Sequence, residues 1–112
     1  MNGKDRRQYE RINITLEGTF STDDWVCSSF ILNISQSGVC MECGKAIEPN
    51  TKINIIIPGS TPIKLKGQVV WCKPLGLSHQ LGIKFLDVKT EQKKALNGII
   101  SSFFWQEQAK NH

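Results

Sequence analysis

The chain has 112 residues, 39% of them apolar and 21% charged, with five Phe, three Trp and one Tyr; that length supports one hydrophobic core, and that composition excludes an intrinsically disordered chain. A net charge of +4 suits an anionic partner, but the lysines form no block, which excludes a polybasic tail and a long nonspecific nucleic-acid stripe. No N-terminal apolar segment and no run near the roughly 18 apolar residues of a membrane span is present, so the expectation is a cytoplasmic protein with Cys27, Cys40, Cys43 and Cys72 as reduced thiols.

Residues 1–11 are polar and aperiodic, and read as a flexible arm. At Ile12 the pattern changes to period two, with Ile12, Ile14, Leu16 and then Phe20, the signature of a half-buried strand. Trp25 to Ile34 is a second strand, rich in β-branched and aromatic residues. Gln36-Ser37-Gly38 signals a turn, and Val39 to Cys43 continues as a third strand. Lys52 to Gly59 is a fourth, closed by Pro58-Gly59. Ile63 to Cys72 is a fifth: Ile63, Leu65, Val69 and Trp71 share one parity, which makes the core the expected place of Trp71, while a bulge at Gly67 would flip the register and leave Trp71 to stack against a ligand. His79 to Asp87 is a sixth. Six short strands separated by turns predict a small antiparallel barrel or sandwich.

The C-terminal segment has a different period. Thr90 is the expected N-cap and Glu91 suits the first turn. Leu96, Ile99, Ile100, Phe103 and Phe104 recur at helical spacing on one face, with Gly98 inside at a cost of about 1 kcal/mol relative to Ala. The stripe needs cover, and packing over one end of the barrel is the expected cover; a partner protein or a second copy, giving a homodimer, is the alternative. The domain reading is an arm over 1–11, a barrel over 12–88 and a helix over 89–112 packed on it as part of the same domain.

Four side-chain groups are candidates for chemistry. All the arginine sits in the arm, at Arg6, Arg7 and Arg11, whereas every other basic residue is lysine. Arginine's planar donor fork grips phosphate oxygens or the O6/N7 edge of guanine in two bonds, and its plane stacks on bases. The run therefore suits a ligand bearing both phosphates and guanines, against the plainer reading of surface arginines paired with Asp5 or Glu10. Asn33 and Ser35 share parity at the junction of the second and third strands, offering an amide and a hydroxyl to one face. Gly38 allows positive φ or close approach of a ligand. Alone, Asn33 to Gly38 reads as an ordinary turn. Cys40 and Cys43 form a single C-x-x-C in a strand, where i and i+3 face opposite sides, so one metal ion does not take both sulfurs. His79 has no nucleophile or carboxylate at informative spacing, so no catalytic apparatus is expected.

Taken together, Arg7-x-x-x-Arg11 followed by Asn33-x-Ser35-x-x-Gly38 resembles the two-part signature of PilZ domains, R-x-x-x-R and [D/N]-x-S-x-x-G. Gln80 to Asp87 resembles that family's last barrel strand, and Gly67 to Trp71 the strand before it. The resemblance implies a six-stranded, Greek-key-like antiparallel β-barrel with a C-terminal helix, mainly β. It implies a bacterial second-messenger receptor and adaptor for cyclic di-GMP, with no enzymatic activity, no cofactor and no metal. By similarity, Arg7 and Arg11 grip phosphates and guanine edges, Asn33 and Ser35 bind a guanine, and Gly38 keeps the turn compact. Arg6, just before the motif, resembles members that take up a stacked pair of cyclic di-GMP molecules. Binding orders the arm and signals to an unidentified downstream protein. Two rival readings remain: a PilZ-like adaptor that works through protein contacts without nucleotide, and a small barrel for single-stranded nucleic acid. The second would need exposed aromatics interleaved with basic residues, whereas these aromatics mostly share parity with aliphatics, so neither DNA nor RNA is expected as partner.

Overall fold

A computed structural model describes residues 12–110 of the chain. It contains β1 (Ile12–Ser21), β2 (Val26–Ile34), β3 (Gly38–Cys43), β4 (Lys52–Ile57), β5 (Ile63–Leu75), β6 (Ser78–Leu86) and one helix, α1 (Thr90–Lys110). The strands form a closed barrel in the order β1-β2-β3-β6-β5-β4, with every pair antiparallel. Two three-stranded meanders, β1-β2-β3 and β4-β5-β6, are thus joined along β3–β6 and along β4–β1. Closure removes the exposed sheet edges that a small β protein would otherwise carry.

Alternation places one face of each strand inside. Each strand contributes a fully buried side chain: Phe20, Ile31, Met41, Ile55, Val69 and Leu81. Burying side chains of this size stabilises the fold by about 1.5–3 kcal/mol each. The two ends of the barrel are closed differently. The crossover from β3 to β4 passes over one end and buries Ile47 there. It is tied down by the Asn50 N–H donating to Val69 O at 2.7 Å and the Val69 N–H donating to Thr51 O at 2.9 Å. At the opposite end lies α1, which leaves β6 through Asp87, a non-glycine residue at φ 50°.

The helix buries Leu96 and Ile100, with Ile99 and Phe103 partly buried against the same core. Packing over a barrel end is therefore the cover for this part of the stripe; the Phe104 side chain lies outside the described residues. The N-terminus differs from the expectation by one residue. The Lys89 carbonyl accepts the first helical bond, from the Lys93 N–H at 2.9 Å, so Lys89 holds the capping position and Thr90 is the first helical residue. The Gln92 side chain, three residues on, accepts from the Lys89 N–H at 2.7 Å and donates to Lys64 O at 2.6 Å. It is the reciprocal half of a capping box, and it also fastens the helix to β5.

Two other expectations are corrected. Gly67 is not a bulge: it pairs regularly with Ile53 and Phe85. A Cβ there would lie 2.7 Å from Ile83 Cγ2 and 3.0 Å from Ile55 Cδ1, so the glycine makes room for inward side chains. The bulge lies three residues later, where the β5–β6 register shifts between Val69 and Trp71. That single extra residue, Val70, moves Trp71 to the outer face, where it is 39% exposed. Trp71 is therefore not a core residue.

Candidate ligand-binding face

The turn that joins β2 to β3 is built by Ser35. Its Oγ accepts from the N–H groups of Ser37 and Gly38, both at 3.2 Å, while the Ser35 N–H donates to Gly38 O at 2.9 Å. Such hydroxyl-to-backbone closure is what makes serine a turn residue. Ser35 is 5% exposed. Asn33 is half-buried and lines the outer surface. The two side chains thus do not share one presented face, because β2 ends at Ile34 and strand alternation does not carry to residue 35.

Gly38 is not at positive φ. A Cβ there would sit 2.3 Å from the Ile83 carbonyl oxygen. The glycine is required because β3 starts tight against β6, an approach sealed by the Phe85 N–H donating to Ser37 O at 2.9 Å.

Beside the turn, the outer face of β2, β3, β6 and β5 forms a shallow hollow of about 190 Å³. Asn33, Gly38, Cys40, Trp71 and Lys84 line it. The floor is set by Gly82: a Cβ there would lie 2.2 Å from Trp71 Nε1, so the indole rests directly on glycine backbone. The Lys73 ammonium stands 5.2 Å from the centroid of the indole, within cation–π range. An amide, a half-exposed aromatic plane and two lysines on one surface can stack a base and attract an anion.

Arg6, Arg7 and Arg11 lie outside the described residues. Their covalent attachment is nevertheless placed, since β1 begins with Ile12 opposite Ile34, and Asn13 pairs with Asn33. The arm therefore joins the barrel next to the turn. Arg7 lies five positions before Ile12, a span of at most about 17 Å of chain. The hollow is smaller than the roughly 300–1,000 Å³ usual for a ligand pocket, so a ligand of dinucleotide size needs a further wall, and residues 1–11 are the adjacent chain.

The sequence singled out Asn33, Ser35 and Gly38 as candidates; the structure sets Lys73 and Lys84 on the same outer face, and it places Trp71 outside rather than in the core, the register-flipped alternative, though through a bulge at Val70 and not at Gly67. A signal was present: Val69-Val70-Trp71 is three apolar residues in succession, which breaks period two where the bulge lies. A wider groove of about 460 Å³ runs between α1 and the β4–β5 loop. It is mainly apolar, with Lys64 as its lone basic group, and suits a phosphate-rich ligand less well. Of the C-x-x-C pair, Cys43 belongs to the core and Cys40 lines the outer hollow, on opposite faces of β3. Among the described residues, no helix is long and apolar enough to cross a membrane.

Comparison with known proteins bears on this face. The model of the PilZ domain matches residues 5–102. No curated protein matches the sequence. Solved structures match in fold. The PilZ domain with c-di-GMP of YcgR from Escherichia coli superposes with a TM-score of 0.80 at 17% identity, covering 95% of this chain and 97% of that one. YcgR from Escherichia coli in complex with c-di-GMP gives 0.73 at 18% identity, covering 95% of this chain and 49% of that one. The inhibitor of motility MotI/DgrA from Bacillus subtilis gives 0.71 at 18% identity, covering 94% of this chain and 52% of that one.

Proposed function

Since the chain belongs to the PilZ domain family, we propose that it is a receptor for cyclic di-GMP that acts as an adaptor and not as an enzyme. The observation that carries this reading is the point where the arginine-bearing arm joins the barrel: opposite Ile34, beside the Asn33–Gly38 turn and the Trp71 hollow. Each part of that ligand has a counterpart. Arg7 and Arg11 supply forks for its phosphates and guanine edges. Asn33 offers an acceptor and a donor to a guanine edge, and Trp71 a plane on which a base stacks. Lys73 and Lys84 add positive charge at the rim. Ser35 and Gly38 act through the turn, one by closing it and the other by letting β3 meet β6. Arg6 extends the arm's guanidinium surface to a second, stacked ligand molecule.

Binding closes residues 1–11 over the outer face and remodels the surface beside it, where a downstream protein reads the change. The turn also contacts α1 directly, through a hydrogen bond from Gln36 Nε2 to Asn97 Oδ1. That contact gives the ligand-bearing turn a mechanical link to the helix.

The test is isothermal titration of cyclic di-GMP into the protein and into an Arg7→Ala/Arg11→Ala variant. The expected result is saturable binding that the variant loses, with two ligands per chain if Arg6 serves a stacked pair. A folded parent protein that gives no heat would sink the receptor reading and leave an adaptor acting through protein contacts alone. Hydrogen exchange over residues 1–11 should slow on addition of nucleotide; equal rates with and without it would remove the closing arm.

A further inference from the structure

The barrel end away from α1 gathers three of the four thiols. Cys27 takes the inward parity of β2 with Ser29 and Ile31, and Cys43 that of β3 with Val39 and Met41. The Val70 bulge gives Cys72 the parity of Leu81, its partner on β6. Cys43 is buried, and Cys27 and Cys72 are partly buried against the same core. Continuing the register that pairs Phe30 with Glu42 sets Cys43 across from Ser29, one inward position from Cys27. Each thiol donates to a backbone carbonyl beside it, Cys27 to Ser28 O at 3.4 Å and Cys43 to Lys45 O at 3.1 Å. His79 stands directly opposite Cys43 in the β3–β6 ladder, and its Nδ1 is buried without a hydrogen-bond partner among the described residues. Among the described residues, no three such donors are grouped to hold a metal ion.

We propose that Cys27 and Cys43 are a modification site, an intramolecular disulfide formed reversibly by a peroxide at the mouth of the barrel. Cys27 is the sulfur that the oxidant meets, because it is the more exposed of the two. Cys43 is the buried sulfur, one inward position away, and serves as the resolving partner from inside the mouth. In the first step the Cys27 sulfur attacks one peroxide oxygen, the O–O bond breaks and water leaves, giving a sulfenic acid. In the second, the Cys43 sulfur attacks the Cys27 sulfur, the S–O bond breaks and a second water carries away the thiol proton, with the His79 imidazole placed to relay it. The peroxide takes up two electrons and the two thiols lose them. The bond closes a ring of chain from Cys27 to Cys43, which contains Asn33, Ser35 and Gly38.

The test treats the full chain with hydrogen peroxide, alkylates remaining thiols, and digests with a glutamate-specific protease. Cleavage after Glu42 separates Cys43 from Cys27, so a linked pair of peptides reports the bond. The expected result is two fewer alkylated thiols per chain, one linked pair containing Cys27 and Cys43, and reversal by dithiothreitol. The link should persist in Cys40→Ser and vanish in Cys27→Ser, whose folding circular dichroism verifies. Full alkylation of all four thiols after peroxide, a link through Cys72, or a link only between two copies of the chain would overturn the assignment. Because residues 18–42 carry both Cys27 and Cys40, fragmentation of the linked peptides from the parent protein assigns the bond to one of them even if a variant fails to fold, and a bond to Cys40 would overturn the assignment.

Discussion

Replacing Gly38 with alanine separates two explanations for the motif glycine. If it serves only the approach of a ligand, Gly38→Ala should fold normally and bind poorly. The structure argues otherwise. The new Cβ would lie 2.3 Å from the Ile83 carbonyl oxygen, about 1 Å inside ordinary C···O contact. The obstacle is backbone, held in register by the pairs Gly38–Lys84 and Val39–Ile83, and it cannot rotate away as a side chain would. Relief means parting β3 from β6 at the turn. Overpacking of this kind costs about 1–3 kcal/mol, and each weakened ladder bond adds about 1 kcal/mol. A loss of about 2–4 kcal/mol should lower Tm by roughly 10–25 °C in a domain of this size. The assay is thermal unfolding without nucleotide, with Gly98→Ala as control. Nothing lies within 4 Å of a Cβ at Gly98, and an alanine inside a helix should raise stability by about 0.5–1 kcal/mol. A Gly38→Ala protein that melts with the parent would refute the packing argument and restore the ligand as the reason for the glycine.

Trp71→Ala should keep the fold, because the indole lies outside the core, and should weaken cyclic di-GMP binding by about 5- to 150-fold, the worth of one stacked base; unchanged affinity in titration would take Trp71 out of the site. Asn33→Ala should cost affinity without changing Tm by more than a few degrees, and a large drop in Tm would show instead that Asn33 holds the register shift between Ile31 and Asn33 in the β2–β3 ladder. Phe20→Ala removes a fully buried ring that meets Trp25 edge-on at 5.5 Å, and should cost about 3–5 kcal/mol in urea unfolding. Burial raises the Cys43 thiol from 9.0 to about 11. Between those values the unfolded chain gives up the proton and the folded chain keeps it, so this contribution to stability is full below pH 9 and lost as pH rises towards 11. Tm measured at pH 8 and pH 10.5 should therefore fall more in the parent than in Cys43→Ala, and parallel falls would contradict the assignment.

Some of this was written locally. The six strands follow from period-two apolar runs broken by Gly, Pro, Asn and Ser, and Leu96 with Ile100 shows in the helical stripe. The arginine cluster, Asn33, Ser35 and Gly38 could be picked out by residue type and spacing alone. What spacing could not supply was the partner of each group. One residue of bulge at Val70 took Trp71 from the inner face to the outer one, and its seat on Gly82 depends on how β5 lies against β6. Parity extended past Ile34 gave Ser35 a surface role, whereas its hydroxyl closes the turn. The need for glycine at 38 comes from the Ile83 carbonyl, which lies 45 residues away in the chain. Thr90 looked like the cap, but Gln92 reaching the Lys89 N–H moved the start of the helix.

Strands, helix and the clustering of arginine, amide and hydroxyl groups were all legible in the chain, because periodicity and functional-group type are properties of short stretches. Only the tertiary structure decided that the arm's attachment, the turn and Trp71 meet on one outer face, and that Cys27, Cys43 and His79 meet at one mouth. Those meetings depend on the β3–β6 and β4–β1 closures and on a single-residue register shift, and pairing between strands distant in the chain is fixed by the packing of the whole barrel.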